Sequence, residues 1–413
     1  MAPLARLIRL CLLAILAFAG SGHAWAAGAD GKAETPVIAA AVSVAIDGGK
    51  TRFSVTMSRS VVAQVQLMEG PDRVIVDLPE VAFHIPSDQG RKSEGLIASY
   101  RYGLFAPGRS RVVMELAQPA VVSALHVDQN QPGGASLLVI ELSRVDRDHF
   151  RKAVAESAGA AKPAHAEPVI AKDAKDTRPV IVIDPGHGGI DPGAAALSGV
   201  YEKDLILSFA QLLKKKLDAE GRYRVLMTRE QDVFISLGDR VKFARMAKAD
   251  LFISIHADSI SGAQEVRGLT VYTGSERASD AESARLADRE NRADSLAGVE
   301  SGEGADDVLD ILQDLTLRET RTFSHGFANR LVGELDSVAR LNKNARREAG
   351  FRVLRAHDVP SVLVELGYLS SQKDLDLIMS DEWRGKMVAS MTVAIDRFFA
   401  TRLARQGAAA VLP

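Results

Sequence analysis

Four side chains in the C-terminal half of the chain have types and positions suited to metal-assisted hydrolysis. His187 lies in Val180–Asp191, which reads V-I-V-I-D-P-G-H-G-G-I-D. Glu202 opens a helix-like segment, and His256 follows the apolar run L-F-I-S-I at 251–255. Two imidazoles and one carboxylate are the ligand set of a catalytic zinc that keeps a fourth position for water. Magnesium or calcium would favour more carboxylates and fewer imidazoles. Glu365 follows Val362-Leu363-Val364. A carboxylate there is costly to bury without a partner, and water activated by zinc needs a group to take its proton and return it to the leaving amine. Each residue also has a plainer reading. His187 could bond a backbone carbonyl in its Gly-rich turn, Glu202 could serve the helix N-terminus, His256 could cap a strand, and Glu365 could sit in a structural salt bridge. The sequence contains neither a local H-E-x-x-H motif nor the Lys-Ser/Thr pair that would make D-P-G-H-G-G a phosphate loop.

The elements that must position these residues follow from the hydrophobic pattern. From Pro179 onward, strand-like segments (Val180–Asp184, Arg224–Thr228, Leu251–His256, Gly268–Tyr272, Arg352–Leu354, Ser361–Leu366) alternate with helix-like ones (Glu202–Glu220, Leu237–Ala247, Leu315–Leu335, Asp381–Arg402). That alternation predicts an α/β domain, residues 179–402, with a largely parallel sheet flanked by helices. Val180–Ile183 has no polar alternation, as expected of a strand covered on both faces. Sites in such sheets lie beyond the carboxyl ends of the strands, where His187, His256 and Glu365 fall.

Upstream, residues 37–144 carry short alternating segments separated by turn signals such as Asp47-Gly48-Gly49 and Gln131-Pro132-Gly133-Gly134. This predicts a small all-β sandwich, read as a binding module. His84 and His126 stand alone there and read as bystanders. Residues 145–178 are rich in Ala, Lys, Asp, Glu and Pro and read as a flexible linker with a helical start around 148–157. At the N-terminus, Arg6 and Arg9 precede an apolar run ending near Ala19, and Ala24-Trp25-Ala26 offers a cleavage site. Residues 1–26 therefore read as a secretory signal peptide, too short in its apolar part to span a bilayer. The one cysteine, Cys11, lies within it, which leaves the mature chain without disulfides or thiolates. A net charge of −2 over 413 residues gives no reason to expect nucleic acid binding.

Residues 275–319 interrupt the α/β alternation with an acidic insert, long enough to be a lid or regulatory piece. At helical periodicity over 281–297, Glu290 shares a face with Ser283, Leu286, Ala287, Ala293 and Ala297, with Asp294 beside it. A carboxylate in such a stripe is buried if the stripe packs and then needs a cation; the open zinc position is a candidate. Residues 306–317 form a second amphipathic piece.

D-P-G-H-G-G, Glu202-Lys203, S-I-H-A-D and P-S-V-L-V-E-L-G-Y-L-S, in that order, resemble the zinc-dependent N-acetylmuramoyl-L-alanine amidases of the AmiC-like cell-division type, from Pro179 to about Phe399. The resemblance implies that His187, Glu202 and His256 are zinc ligands and Glu365 the catalytic glutamate. The implied substrate is the peptidoglycan amide between N-acetylmuramic acid and L-alanine of the stem peptide. The sandwich is similar to the AMIN domain, which binds peptidoglycan. Relatives carry an inhibitory helix whose glutamate occupies the metal; Glu290 matches it, so the resemblance implies autoinhibition relieved by a LytM-domain activator of the EnvC or NlpD kind. It further implies a periplasmic enzyme of cell-wall remodelling and daughter-cell separation, with no membrane span after signal cleavage. Ser370-Ser371 and His357 depart from the usual pattern. A non-catalytic wall-binding factor and another zinc hydrolase of the wall are the competing readings.

Overall fold

The computed structural model describes residues 36–85, 90, 93–129, 131–157, 176–196, 198–260, 266–299 and 311–409. The expected signal peptide, most of the expected linker and the start of the second amphipathic piece lie outside these residues. Among the described residues no helix is long and apolar enough to cross a membrane.

The N-terminal part is a sandwich built from β1 (Val37–Asp47), β2 (Lys50–Met57), β3 (Gln64–Met68), β4 (Arg73–Pro79), β5 (Val81–Phe83), β6 (Ile97–Ala106), β7 (Arg109–Leu116), β8 (Ala120–Asp128) and β9 (Ser136–Arg144). One sheet has the order β5-β1-β2-β9-β8 and the other β3-β4-β7-β6. Alternate residues of the facing strands, among them Phe53, Val55, Val74, Val76, Val112, Met114, Leu138 and Ile140, fill the space between them. Helix α1 (Arg147–Ser157) belongs to this body. Its Phe150 is buried in the same core, and the Ser157 hydroxyl accepts from Leu67 N at 3.0 Å.

The second face of the four-stranded sheet is covered as well. Met68, Ile75, Phe105 and Val113 pack against Ile190, Phe234 and Ala297. Strand β4 is therefore buried from Arg73 to Leu78 without alternation, although a solvated sandwich strand would alternate.

The C-terminal part continues through β10 (Val180–Pro185), α2 (Glu202–Glu220), β11 (Arg224–Met227), α3 (Leu237–Met246), β12 (Leu251–His256), β13 (Leu269–Gly274), α4 (Ala281–Glu290), α5 (Ala293–Leu296), α6 (Ile311–Leu335), β14 (Leu341–Ala349), β15 (Ser361–Glu365), α7 (Gln372–Met379) and α8 (Asp381–Ala409). The sheet order is β11-β10-β12-β15-β13-β14. Strands β11, β10, β12 and β15 are mutually parallel, while β13 runs antiparallel to β15 and carries β14 with it. Ile181 and Ile183 face α2, α6 and α8, whereas Val182, between them, faces α3 and α4. The unbroken apolar run in β10 thus reflects two helical layers. In α2 the residues Ile206, Phe209, Ala210, Leu213 and Leu217 form the buried stripe.

One expectation is corrected. Arg352–Leu354 is a 3₁₀ turn, not a strand; Val353 and Leu354 sit in the core beside α4, and the turn brings Arg352 N to Asn291 Oδ1 at 2.8 Å. The strand in this region is β14, L-N-K-N-A-R-R-E-A. Among the described residues it is an edge strand paired only with β13, so polar side chains suffice there and hide it from a hydrophobic-pattern search.

Truncating Phe150 to Ala should destabilise the N-terminal body by about 3–5 kcal/mol. Denaturant unfolding followed by far-UV circular dichroism checks this; an unchanged midpoint would show that α1 is not part of that core.

Candidate metal centre

The loop carrying His187 is held by buried charge. Asp184, at the end of β10, accepts from Thr228 Oγ1 (2.6 Å), Ser254 Oγ (2.7 Å) and Arg240 Nη1 (2.7 Å). Burial alone would raise its carboxyl; Arg240 and the two hydroxyls outweigh that and keep it below the usual range. Arg240 also donates to the carbonyls of Pro185 (2.8 Å) and His187 (2.7 Å), and Arg229 to those of Pro185 (3.0 Å) and Gly186 (2.7 Å). These bonds hold His187 at φ 57°, a region that non-glycine residues occupy at a cost and that recurs at functional sites. Asp191 Oδ2 lies 2.8 Å from His187 Nδ1, which leaves Nε2 turned toward the other groups.

Helix α2 begins where it delivers Glu202 to both imidazoles. Glu202 Oε2 is 3.2 Å from His187 Nε2, and Oε1 is 3.2 Å from His256 Nδ1. The same carboxylate accepts from the backbone of Ala194 and Ala257, each at 2.9 Å. Gly193 allows this approach: its φ is +65°, and a Cβ there would lie 2.6 Å from His187 Cδ2 and 2.7 Å from Glu202 Oε2. Burial opposes the charge on Glu202, but His187 and His256 pull its carboxyl well below the usual range.

The fourth group comes from the insert. Glu290, the last residue of α4, places Oε2 3.5 Å from His187 Nε2 and 3.4 Å from His256 Nδ1. One ligand atom from each of His187, His256 and Glu290 lies within 4.8 Å of the others. His187 Nε2 is buried without a hydrogen bond although two carboxylates face it. Converging nitrogen and oxygen donors, one of them a buried imidazole nitrogen left without a hydrogen-bond partner, fit a zinc-sized cation. The ring of His187 meets that of His256 at 79°, centroids 4.9 Å apart.

The insert is two helices rather than one. Asn291 ends α4, donating from Nδ2 to Gly350 O (2.9 Å) while accepting from Arg352 N. The expected stripe still packs: Ser283, Leu286, Ala287, Glu290, Ala293 and Ala297 are all buried. Asp294 turns away and accepts from Leu237 N at 2.8 Å, at the start of α3.

Glu365 ends β15, in register with His256 on the neighbouring strand. Its Oε2 accepts from Asp258 N at 3.0 Å, and its Oε1 is buried without a partner. Burial, then the charges of Asp258, Glu202 and Glu290, push its carboxyl well above the usual range. Such a group suits proton exchange near neutrality. Asp258 is pushed up to about 7 by burial and by Glu290 and Glu202. Arg289 sits 3.1 Å from Asp258 Oδ2 and donates to Ser259 O at 2.6 Å.

The structure thus brings one donor atom each of His187, His256 and Glu290 within 4.8 Å of the others, with Glu202 3.2 Å from both imidazoles and Glu365 in register with His256. His325 instead contacts Thr273 Oγ1 (3.4 Å), and His357 contacts Arg245 Nη2 (3.3 Å). Asp191, Asp258 and Arg289 were not singled out in the sequence. Asp191 had a signal, four positions after His187 in the same loop; the ion pair across the insert had none.

With this geometry established, comparison with known proteins is decisive. A family described as N-acetylmuramoyl-L-alanine amidase matches residues 181–397, and the AMIN domain matches residues 41–139. The amidase AmiC of Neisseria meningitidis serogroup B is 32% identical over 376 residues, spanning 86% of this chain and 89% of that protein. This chain belongs to that amidase family. AmiC of Escherichia coli O6:H1 is likewise 32% identical, over 378 residues, with 86% and 89% covered. A solved structure of the amidase AmiC2 of Nostoc punctiforme aligns with 54% of this chain and 97% of its own at 27% identity, with a TM-score of 0.39. The protein is a peptidoglycan amidase of the AmiC type, an N-acetylmuramoyl-L-alanine amidase, and its family is in general zinc-dependent.

The metal-free amidase should lose stability as pH rises. His187, whose burial opposes its charge, is nevertheless raised well above 6.5 by Glu202, Asp191 and Glu290, and Asp258 and Glu365 are raised as well. Groups raised on folding stabilise fully below their unfolded values and cease to as pH climbs through the folded ones. Glu202 and Asp191 are lowered, so their contributions change only below about pH 4.5. Thermal melts of chelator-treated protein should therefore fall between about pH 5 and 8, and added zinc should remove the decline. A flat or rising profile would contradict the assignment.

Proposed function

We propose that His187, Glu202 and His256 hold a zinc ion, that Glu365 is its acid–base partner, and that Glu290 blocks the remaining position in the resting enzyme. The observation that carries this reading is the enclosure of all five side chains, Glu365 at 0% and Glu290 at 7% exposure, around a point where nitrogen and oxygen donors converge. A stem peptide cannot reach that point until α4 moves.

A zinc ion there would polarise the scissile carbonyl and lower the pKa of a water molecule. Glu365 is placed to take a proton from an attacking water and would deliver it to the departing L-alanine nitrogen as the amide C–N bond breaks. Asp191 keeps the His187 ring oriented, as partners of metal-ligating imidazoles do. The enzyme then releases stem peptides from intact glycan, acting in the periplasm during wall remodelling and daughter-cell separation. We assign residues 1–26 to a signal peptide, 37–144 to a wall-binding AMIN domain, 145–178 to a linker, 179–402 to the catalytic domain and 275–319 to its regulatory insert. A LytM-domain activator of the EnvC or NlpD kind would dock on that insert and withdraw Glu290. A wall deacetylase or peptidase would leave different fragments, and mass spectrometry of digested sacculi separates these outcomes.

Glu290→Ala should raise basal hydrolysis of purified sacculi on the order of 5- to 150-fold, the range of ordinary coupling energies. An unchanged rate in folded, zinc-loaded protein would remove the blocking role. Glu365→Gln should retain one zinc by elemental analysis and lose about 10²- to 10⁴-fold in activity. Substantial residual turnover would assign the proton transfer elsewhere.

A further inference from the structure

The segment following Glu290 does not end in solvent. We propose that the outer sheet face of the N-terminal domain, carrying Arg73, Ile75, Phe105 and Arg111, is a docking surface for residues 295–299 of the same chain and thereby helps hold the inhibitory glutamate in place. The inference rests on the reading that Glu290 blocks the centre, and extends it to a domain otherwise assigned to wall binding.

The contacts are specific. The Arg73 guanidinium donates to the carbonyl of Ser295 and, at 2.8 Å, to its hydroxyl. Arg111 donates from Nη1 to the carbonyls of Ala297 (3.0 Å) and Gly298 (3.1 Å). Its opposite edge is fixed by Asp77 at 2.6 and 2.9 Å, and its guanidinium carbon lies 3.6 Å above the Phe105 ring. Cationic donors at the carbonyl end of a helical segment are well placed electrostatically, and a guanidinium clamped on one side presents its remaining donors in a fixed direction.

Shape adds to charge. Ala297 is fully buried among Met68, Ile75, Phe105 and Val113, with Val299 packed alongside. Gly298 has φ +69°, and a Cβ on it would lie 2.4 Å from Ile75 Cδ1. The sandwich also backs the metal loop, because Leu104 O accepts from Ile190 N and Phe234 N, each at 3.3 Å. Helix α4 is tied at its own end by Arg289 to Asp258 and Ser259. Moving Glu290 outward therefore has to break contacts in both domains.

The test uses the full mature chain with three changes: Arg73→Met, which keeps the stem and removes the donors; Gly298→Val, which crowds Ile75 from the insert side; and Glu290→Ala. Hydrogen exchange at the amides of Ala297, Gly298 and Val299 reports docking, and basal release from labelled sacculi reports control. Arg73→Met and Gly298→Val should each speed exchange at these amides about tenfold, the factor for losing charge-assisted bonds, and raise the basal rate by up to the same factor. Neither should add to the rate of Glu290→Ala. Because Gly298 lies outside the sandwich, that variant remains informative if Arg73→Met impairs folding. Unchanged exchange in folded variants overturns the docking surface. Faster exchange with a wild-type rate, while Glu290→Ala is activated, overturns its control of the site. If Glu290→Ala is itself silent, the blocking role fails, and exchange still decides whether the surface docks the segment.

Discussion

The controlling constraint in this molecule is a concentration of buried charge. Glu202, Glu290, Glu365 and Asp258 lie within a few side chains of one another and are all nearly excluded from water. Like charges cannot all persist in such a place, and breaking or removing one partner of a buried ion pair is severely destabilising. Two imidazoles offset part of the excess, which is why His187 is driven toward its charged form and Glu365 toward its neutral one. A divalent cation relieves the same conflict without borrowed protons. The protonation states of these groups and their fitness for zinc therefore have one electrostatic cause.

Keeping that arrangement requires a scaffold that does not yield. Parallel pairing of β12 and β15 sets His256 beside Glu365, and the start of α2 presents Glu202 to both imidazoles. Arg229 and Arg240 secure the carbonyls of the His187 loop from beneath. From the outside, Leu104 of the N-terminal sheet meets the loop at Ile190. The two domains therefore share a boundary at the centre itself, and the insert runs along it from Glu290 to the arginines of β4 and β7.

Much of this was legible in the residues. Apolar runs in β10, β12 and β15, broken in β12 only by Ser254, gave the buried strands, and polar groups after them marked the site. Small residues spaced around Glu290 gave the packed face of α4, although not the break at Asn291, which depends on partners at Gly350 and Arg352 far along the chain. Strand β14 was hidden because an edge strand need not be apolar. The packing of the sandwich on the catalytic domain was hidden for a related reason: Arg73 and Arg111 read as solvated charges until the carbonyls of Ser295, Ala297 and Gly298 are seen to meet them. Long-range pairing of a side chain with a backbone carbonyl leaves no local pattern.

Zinc K-edge absorption spectroscopy of the purified mature chain addresses the central claim most directly. The account predicts one equivalent of zinc, with imidazole nitrogens at about 2.0–2.1 Å and carboxylate oxygens at about 2.0–2.2 Å, and with one carboxylate replaced by water in Glu290→Ala. A chain that binds no stoichiometric zinc, or a shell lacking imidazole, would contradict it.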